Sequence, residues 1–520
     1  MVESSQPPSA GLSRHKATVT RISAQVAQFH RTKTPFRIFH GSTNATRPSI
    51  RTLAGTVDIS DLNHVISVDA EKRTCLVEPN VPMDLLVAST LPLGLVCPVV
   101  PEFPGITVGG GHAGTAGESS SFRHGFFDRC VNWLEIVLAD GDVVIASDDN
   151  ERKDLFNSMA GTFGTLGVAT LFEIRLIPAK SHVELTYLRV TGIEDAQREL
   201  AAQTKDKSVG FLDGIMFAPD KGVIMAGRFA EPGQETKERN GGHDLPIVTF
   251  TKPSDEWFYL HAEAQIKGTD TGTPKRDLVP LTDYLFRYDR GAFWTGKWAF
   301  AYFYTPFTWF MRYLFDSCFH TRNMYHALHR SGLMQRHIVQ DMALPNRNIP
   351  EFSHWLDTEL PTIYPRWLCP LKPEASVSMS PHHAPAARTQ DEVLLNIGVW
   401  GPTPQQYTQI GINRRIEAKL ASLQGMKWLY AQTFYTEDEF WSIYDRKAYD
   451  ALRKKYHAEG LPSVYEKVRT KVDKEDLLLG DNGDGAKLGI EKGFWSIWPF
   501  AGLYGVLSLV AGRRDYLRKS

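Results

Sequence analysis

Short alternating runs of apolar and polar residues occupy the first third of the chain. Residues 65–69 and 74–78 flank a charged turn and predict two strands, and the apolar runs on either side of Asp140 and Gly141 predict a hairpin. Apolar residues at helical spacing predict helices over residues 15–29 and 82–91. Because strands and helices mix here without regular alternation, we predict an α+β domain over residues 15–180.

Beyond residue 180 the pattern changes. Residues 183–192, 210–219 and 222–231 predict strands of a second sheet, and residues 429–456 predict a strand running into an amphipathic helix. Residues 284–315 are dense in aromatic side chains, which indicates a large apolar pocket or a membrane-facing surface, with ordinary core helices as the alternative. We predict a second α+β domain, a substrate or cap domain, over residues 181–470.

The two termini differ in character. The N-terminus has no apolar run, so we expect neither a signal peptide nor an N-terminal anchor. At the other end we predict a linker and an apolar tail over residues 471–520, in which residues 494–512 carry no charge and basic residues follow. Such a tail could pack on the protein, lie in a membrane interface or span a membrane. All three possibilities stay open.

Composition narrows the function classes. The chain has 520 residues, enough for two domains, and 58 basic against 59 acidic residues, so no global field attracts nucleic acid. Its five cysteines are scattered and never spaced C-x-x-C, so we expect no disulfide framework, no metal site and a reducing compartment. The composition is that of a folded enzyme without a nucleic-acid partner, and it leaves the oligomeric state open.

A glycine-rich segment over residues 104–120 contains the pattern G-x-G-x-x-G at Gly109, Gly111 and Gly114. A Rossmann site for a nicotinamide cofactor needs a strand directly before this pattern and a helix opening within it. Prolines precede the pattern at positions 98, 101 and 104, and serines and glycines follow it. The context therefore disfavours a Rossmann site.

Three small-residue segments favour another way of holding a dinucleotide. They are "HGSTNATR" at residues 40–47, "TVGGGHAGTAGES" at 107–119 and "GTFGTLGVATLFEI" at 161–174. Glycine leaves the main chain open to close approach, and backbone amides with hydroxyl groups can bind a buried diphosphate. Together the three segments predict a diphosphate-binding site.

The order of these segments resembles the FAD-binding domain of the vanillyl-alcohol oxidase, or PCMH-type, flavoprotein family. Further motifs narrow the resemblance to the Delta(24)-sterol reductases of that family, namely "PEFPGITVGG", "GESSSFRHGFF", "EIVLADG", "GTLGVATLFEIRLIPAK", "RHIVQDMALP", "IYPRWLCPL" and "WLYAQTFYTEDEFWSIYD". The similarity runs from about residue 15 to 470. It implies a two-domain fold with FAD at the interface of the domains.

The resemblance also implies the residues that contact FAD. These are Gly41, Ser42, Thr43, Asn44 and Thr46 in the first segment; Thr107, Val108, Gly109, Gly110, Gly111, His112, Gly114, Thr115, Gly117, Glu118 and Ser119 in the second; and Gly164, Thr165, Leu166, Gly167 and Ile174 in the third. Some relatives attach FAD covalently through a histidine and a cysteine, whose places hold Ser42 and Gly105 here. We therefore expect non-covalent FAD.

The activity implied is reduction of the C24–C25 double bond of a sterol side chain, with NADPH as electron donor. An unactivated alkene needs a proton donor, for which we select Tyr430, His337, Asp341 and Glu118 by their chemistry. The resemblance implies a lipophilic sterol substrate and a cytosol-facing, membrane-associated protein of the endoplasmic reticulum. A PCMH-type oxidase or dehydrogenase acting on an alcohol is the alternative enzyme, and a membrane-associated binding module is the non-enzymatic alternative.

Overall fold

The computed structural model describes residues 8–41, 46, 55–239, 241–268, 274–372, 379, 393–470 and 499–510. Its strands are β1 (Arg37–Phe39), β2 (Thr56–Asp58), β3 (Val65–Asp69), β4 (Thr74–Val77), β5 (Leu95–Val96), β6 (Val131–Val137), β7 (Val143–Ser147), β8 (Val168–Arg175), β9 (Ile177–Pro178), β10 (His182–Val190), β11 (Phe211–Ala218), β12 (Lys221–Ala230), β13 (Lys275–Pro280), β14 (His337–Pro345), β15 (Arg366–Leu371), β16 (Leu394–Pro402) and β17 (Met426–Lys427).

The α-helices are α1 (Pro8–Arg31), α2 (Met83–Thr90), α3 (Val108–Ala113), α4 (Ser121–His124), α5 (Lys153–Met159), α6 (Ile193–Gln203), α7 (Gln234–Arg239), α8 (Phe258–Gln265), α9 (Leu281–Leu285), α10 (Thr295–Tyr302), α11 (Trp309–Leu314), α12 (Thr321–Ser331), α13 (Ile349–Glu359), α14 (Gln409–Ser422), α15 (Glu437–Ile443), α16 (Arg446–Lys455), α17 (Val464–Val468) and α18 (Phe500–Val510). The mixture of helices and sheets agrees with the predicted α+β class.

A five-stranded sheet has the order β3-β4-β8-β6-β7, and every neighbouring pair in it is antiparallel. The alternating pattern on β4 buries Cys75 and Val77 and leaves Thr74 and Leu76 partly exposed. The β6–β7 hairpin turns at Gly141, whose φ of +101° favours glycine. The predicted strands and hairpin are confirmed, and the antiparallel sheet agrees with the rejection of a Rossmann site.

The first helix, α1, begins seven residues earlier than predicted and packs along this sheet. Val19, Ile22 and Val26 are buried on one of its faces, in a cluster that includes Val137 of β6. At its start, His15 hydrogen-bonds to two carboxylates, Glu78 at 2.9 Å and Glu135 at 3.0 Å. These contacts fix the helix to β6 and to the end of β4.

An eight-stranded antiparallel sheet has the order β13-β10-β12-β11-β15-β16-β14-β17. Its strands β10, β11 and β12 coincide with three of the predicted strands, which confirms them. One face packs against α6, α13 and α14 through a cluster that includes Leu200, Phe352 and Ile416. Side chains of the opposite face join the hydrophobic cluster of the five-stranded sheet.

The aromatic stretch over residues 284–315 has a buried part and an exposed part. Its first part is core, with Tyr284, Tyr288 and Trp294 buried, whereas Trp309 and Phe310 of α11 are exposed. Thus neither alternative from the sequence describes the whole stretch. The boundaries proposed for the two domains stay predictions.

Two of the sequence predictions for residues 429–456 are wrong. Residues 429–435 form a turn at Leu429 and Tyr430 and an irregular segment after it rather than a strand, with one isolated bridge from Thr433 to Arg469. The helix after them is two helices, α15 and α16: the extended backbone of Tyr444 ends the first, and Asp445 caps the second by accepting the N–H of Ala448 at 2.9 Å.

The helix α18 lies within the predicted apolar tail and packs on α12 and on the end of α10. A Cβ atom at Gly505 would lie 2.6 Å from the carbonyl oxygen of Ala327, and one at Gly502 would lie 2.5 Å from the ring of Tyr302. Within the described ranges, no helix combines the length and the apolar character needed to cross a bilayer. The predicted linker and the rest of the tail lie outside the described residues.

Candidate active site

A cavity of about 870 Å³ is lined by side chains from both sheets, Phe172 of β8 on one side and Asp341 of β14 on the other. Its volume lies at the upper end of the range for ligand pockets. We call one set of lining residues the glycine wall: Thr107, Gly109, Gly110, Gly114, Gly117, Gly164 and Gly167. We call another set the aromatic wall: Phe293, Tyr325, Trp367 and Trp400.

Apart from Thr107, the glycine wall is bare main chain, and at four of its six glycines a Cβ atom would lie within 3.0 Å of other protein atoms. Thr107 caps α3 by accepting the N–H of Gly110 at 3.1 Å. A Cβ atom at Gly109 would come within 2.9 Å of Pro79 Cβ. Gly164 has a φ of +76°, and a Cβ atom there would lie 2.5 Å from Ile38 Cδ1. A ligand in the cavity can therefore approach this backbone closely.

Positively charged side chains also line the cavity: Arg37, Lys467 and Arg469. His40 lines it too, and its buried Nδ1 finds no hydrogen-bond partner within the described ranges. Burial and the positive charge of Lys467 lower the pKa of His40 to about 4, so this ring is neutral at pH 7. Three cations and a buried, unpartnered imidazole nitrogen are suitable partners for a diphosphate.

The segment after β17 ties the two halves of the cavity together. The backbone N–H and the hydroxyl of Thr46 both donate to the carbonyl oxygen of Tyr430, each at 3.2 Å. The indole N–H of Trp428 donates to the carbonyl oxygen of Thr115 at 2.9 Å. Two of the predicted cofactor segments are thus fixed to the turn that carries Tyr430.

Strand periodicity places Asp341 in the cavity. On β14, Ile338 and Met342 face the helices, so Asp341 between them points to the opposite face. The neighbouring strand β16 places Asn396 on the cavity side for the same reason. Gly398 pairs with Asp341 in the ladder, and a Cβ atom there would lie 2.8 Å from Asp341 Oδ1.

Asp341 carries two hydrogen bonds. The hydroxyl of Tyr430 donates to its Oδ2, and the amide of Asn396 donates to its Oδ1 at 3.1 Å. Burial raises the pKa of Asp341 to about 6, against the effect of both hydrogen bonds. Burial and the nearby carboxylate raise the pKa of Tyr430 well above its usual value. At pH 7 the pair is therefore mainly a carboxylate held by a neutral tyrosine.

A buried ion pair supports the aromatic wall from behind. Asp213 Oδ2 accepts the indole N–H of Trp367 at 3.0 Å, the guanidinium of Arg287 at 2.9 Å and the hydroxyl of Tyr288 at 2.8 Å. On the cavity side, the rings of Phe293 and Trp400 pack with centroids 4.0 Å apart and planes inclined by 70°. This network holds Trp367 in one orientation against the cavity.

The predicted cofactor residues fall into three groups. Besides the seven residues of the glycine wall, Thr46 and His112 line the cavity. Burial and Arg129 lower the pKa of His112 to about 3, so it is neutral. Described residues that do not line the cavity are Gly41, Val108, Gly111, Thr115, Glu118, Ser119, Thr165, Leu166 and Ile174. Ser42, Thr43 and Asn44 lie outside the described residues.

The structure places two of the four predicted proton donors in the cavity lining. Asp341 and Tyr430 line the cavity, whereas His337 and Glu118 do not. His337 Nδ1 hydrogen-bonds to the carbonyl oxygen of Leu333 at 2.9 Å, and burial lowers its pKa. Glu118 accepts from the hydroxyl of Ser119 at 2.6 Å and the N–H of Ser120 at 2.9 Å, and burial raises its pKa.

The polar and aromatic groups of the lining that sequence reasoning missed include Glu102, Asn396 and Trp400. A signal existed for the last two, because Asn396 interrupts the apolar run "LLNIGVW" and Trp400 has the same parity along that strand. For Glu102, a single carboxylate between Pro101 and Pro104 gave no pattern.

These residues fit FAD: a wall that excludes Cβ atoms, three cations and the unpartnered His40 nitrogen suit a dinucleotide. A family profile described as FAD binding domain matches residues 16–147, within the predicted 15–180 domain. A relative from rice, "Cytokinin dehydrogenase 9", is 33% identical over 172 residues, covering 31% of this chain and 32% of the relative. The chain is an FAD-binding oxidoreductase.

Two longer matches identify the family. "Delta(24)-sterol reductase" of Homo sapiens is 30% identical over 415 residues, covering 78% of this chain and 76% of the relative. The protein of the same name from Pisum sativum is 30% identical over 459 residues, covering 81% and 77%. The chain belongs to the Delta(24)-sterol reductase family, as its motifs predicted.

Proposed function

We propose that this protein reduces the C24–C25 double bond of a sterol side chain, with FAD as bound cofactor and NADPH as electron donor. The observation that carries the proposal is one cavity in which a glycine wall, an aromatic wall and a carboxyl–tyrosine pair meet. When bound, FAD supplies a carrier that accepts a hydride from NADPH and delivers it to an alkene.

Thr107, Gly109, Gly110, Gly114, Gly117, Gly164 and Gly167 would hold the cofactor through close main-chain contact, and Arg37, Lys467 and Arg469 would neutralise its diphosphate. Non-covalent binding is supported by the absence of a nucleophile at Gly105, which lies against the guanidinium of Arg322. Acid precipitation should therefore leave the flavin in the supernatant. A yellow pellet would contradict this.

The aromatic wall gives the alkene a dry surrounding. Phe293, Trp367 and Trp400 exclude water, and their ring faces stabilise positive charge that develops on carbon during protonation. Asp341 and Tyr430 line the same cavity and form a hydrogen-bonded titratable pair. They position either a proton or a negative charge beside the double bond, according to the protonation state of Asp341.

Product analysis tests the activity. The protein is incubated with FAD, NADPH and a sterol that has a C24–C25 double bond, and the product is examined by mass spectrometry. We expect a gain of two hydrogens, and no change in a control sterol whose side chain is already saturated. No product across a panel of side-chain-unsaturated sterols would contradict the proposed substrate class.

A second candidate is an FAD-dependent dehydrogenase or oxidase acting on an alcohol or another lipophilic substrate. The partial match to a relative named "Cytokinin dehydrogenase 9" favours it, because that name describes a dehydrogenase and not a reductase. Anaerobic bleaching of the bound flavin separates the candidates. Bleaching by NADPH supports the reductase, whereas bleaching by an alcohol but not by NADPH supports the dehydrogenase.

We also propose that the protein contacts a membrane, on the cytosolic face of the endoplasmic reticulum. In support, α11 exposes Trp309 and Phe310 and α18 exposes Leu503 and Leu507, with Phe310 60% and Leu507 58% exposed. Liposome flotation tests this surface. Replacing Trp309 and Phe310 by serine should reduce binding, and Val143→Ser, at an exposed apolar residue of β7, serves as control.

A further inference from the structure

Besides Asp341, a second buried carboxyl group lines the cavity, and the proposed reaction has not yet given it a role. Glu102 lies between β5 and α3 with 6% of its surface exposed, and its buried Oε1 has no hydrogen-bond partner in the described part of the chain. The next residue, Phe103, packs its ring on Phe293 and Tyr325, with centroids 5.6 and 6.5 Å apart. Glu102 therefore lies beside the aromatic wall.

The surroundings of Glu102 favour its neutral form. Burial raises the pKa of Glu102 well above its usual value, and the carboxyl of Glu118 and that of Asp213 raise it further. Arg287 opposes this effect from behind the aromatic wall but is already paired with Asp213 at 2.9 Å. An acid without a partner for its Oε1 retains an O–H group that can be donated into the cavity.

Asp341 is also buried, but it differs from Glu102 in its hydrogen bonds. Tyr430 and Asn396 both donate hydrogen bonds to its carboxylate and stabilise the charged form. Charge on Glu102 acts on the pKa of Tyr430 and of Cys369, so the two carboxyl groups share one electrostatic region. When two carboxyl groups in one site have such different environments, the unpaired one is suited to donate a proton and the hydrogen-bonded one to carry charge.

We propose that Glu102 donates the proton to one carbon of the substrate double bond, while the Asp341 carboxylate stabilises positive charge on the other carbon. This assignment rests on the proposed sterol reduction and names the acid that it requires.

In this step the π electrons of the double bond take the proton of Glu102, so a C–H bond forms and the O–H bond breaks. The neighbouring carbon, now electron-deficient, would accept a hydride, which reduced FAD would supply when bound, with its own two-electron oxidation. The alkene thereby gains two electrons, and the Glu102 carboxylate recovers its proton from water.

A single-turnover experiment tests the assignment. Enzyme with FAD is reduced anaerobically by NADPH and mixed with a sterol carrying a C24–C25 double bond, and reoxidation of the flavin is followed. In Glu102→Gln this reoxidation should slow by about 10²-fold or more, the usual size of a general-acid contribution, with reduction by NADPH unchanged. Glu102→Asp should recover part of the rate. A Glu102→Gln rate close to that of the wild type would overturn the assignment.

The pH dependence of the wild-type rate gives a second test that needs no variant. If Asp341 must be ionised, the rate rises as the pH increases through about 6 and stays level to neutral pH, and Asp341→Asn loses this rise. If Asp341 were the acid, the rate would fall over the same interval. A fall would overturn the assignment even where Glu102→Gln does not fold.

Infrared spectroscopy separates this inference from the proposed function, because it needs no substrate. At neutral pH the wild type should show the carbonyl stretch of a neutral carboxylic acid, and one component of this band should be missing in Glu102→Gln. An unchanged band would overturn the assignment. If the component is missing but wild-type flavin is not reoxidised by any sterol, the proposed function fails and Glu102 remains a neutral acid of the cavity without this role.

Discussion

The two walls of the cavity are built in different ways. The glycine wall comes from two short stretches of the chain, residues 107–117 and 164–167, and presents backbone. The aromatic wall and its carboxyl groups come from distant elements, including α12, β14, β15, β16 and the turn after β17, and present side chains. The backbone part of the proposed cofactor side is therefore local in sequence, whereas its cations and the proposed substrate side come together only in the folded chain.

This difference in construction predicts which substitutions weaken cofactor binding and which alter the reaction with the substrate. Close contacts of the glycine wall leave no space for extra atoms, so substitutions there act by steric exclusion. The aromatic wall is held by hydrogen bonds and ring packing, so substitutions there alter the chemistry or the fit of the substrate while the cofactor stays bound. The predictions below test this separation.

The largest effect is expected at Gly109. In Gly109→Val the side chain would meet Pro79 Cβ at 2.9 Å and Pro79 O at 3.1 Å, so α3 must shift. We expect loss of most bound FAD, measured by the flavin absorbance of the purified protein, and a destabilisation of about 1–3 kcal/mol. Gly210→Val is the control, because nothing lies within 4 Å of a Cβ atom there. Full FAD content in Gly109→Val would contradict the steric role of this wall.

The next effect is expected at Asp341. Asp341→Asn removes the negative charge beside the aromatic wall but keeps the size of the side chain, so FAD content and reduction by NADPH should not change. We expect reoxidation of the flavin by sterol to slow by about 10²-fold. Stopped-flow absorbance measures both half-reactions. An equal loss in both would show that Asp341 does not act on the substrate side alone.

A smaller effect is expected at Trp400. Trp400→Leu removes a ring that packs on Phe293 at 4.0 Å and leaves apolar space in the wall. We expect the KM for the sterol to increase by about tenfold, equivalent to about 1.4 kcal/mol of binding, with little change in FAD affinity. Steady-state kinetics with flavin titration measures both. Weaker FAD binding without a change in KM would place this ring on the cofactor side instead.

The smallest functional effect is expected at His15, which lies outside both walls. Burial alone would lower the pKa of His15, but hydrogen bonds to Glu135 and Glu78 outweigh it and raise the pKa to about 9. Because this value lies above the unfolded pKa, the stabilisation is fully present below about pH 6.5 and is lost as the pH rises through about 9.

His15→Asn should therefore lower the free energy of unfolding by about 1–3 kcal/mol in mildly acidic solution, with kcat unaffected. Denaturant unfolding at several pH values measures this difference, which should shrink in alkaline solution. A difference that does not depend on pH would show that the ion pairs of His15 do not carry the effect.

The sequence predicted the local features well. Alternation identified the strands around residues 65–78, and turn chemistry identified the hairpin at Gly141, because both depend on neighbours along the chain. Seven of the predicted cofactor residues lie together in the glycine wall for the same reason, and their contact with FAD stays a prediction. The motifs that predicted the family are likewise contiguous, and they led to the family that the comparisons identify.

What the sequence did not predict depends on contacts between distant segments. Residues 429–435 have the composition of a strand, but they form a turn and an irregular segment in which Tyr430 bonds to Thr46 and Asp341. Glu102 belongs to the cavity only because the segment before α3 packs on the aromatic wall, where Phe103 contacts Phe293 and Tyr325, and no local pattern distinguishes it. Conversely, His337 and Asp341 are both on β14, but only Asp341 reaches the cavity.

The most direct test of the central claim is the stoichiometry of one anaerobic turnover. FAD bound to the protein is reduced with one equivalent of NADPH, excess nucleotide is removed, and a sterol with a C24–C25 double bond is added. We predict that the flavin is reoxidised and that one equivalent of side-chain-saturated sterol appears, with its gain of two hydrogens confirmed by mass spectrometry. A flavin that NADPH reduces but that stays reduced with every side-chain-unsaturated sterol would contradict the claim.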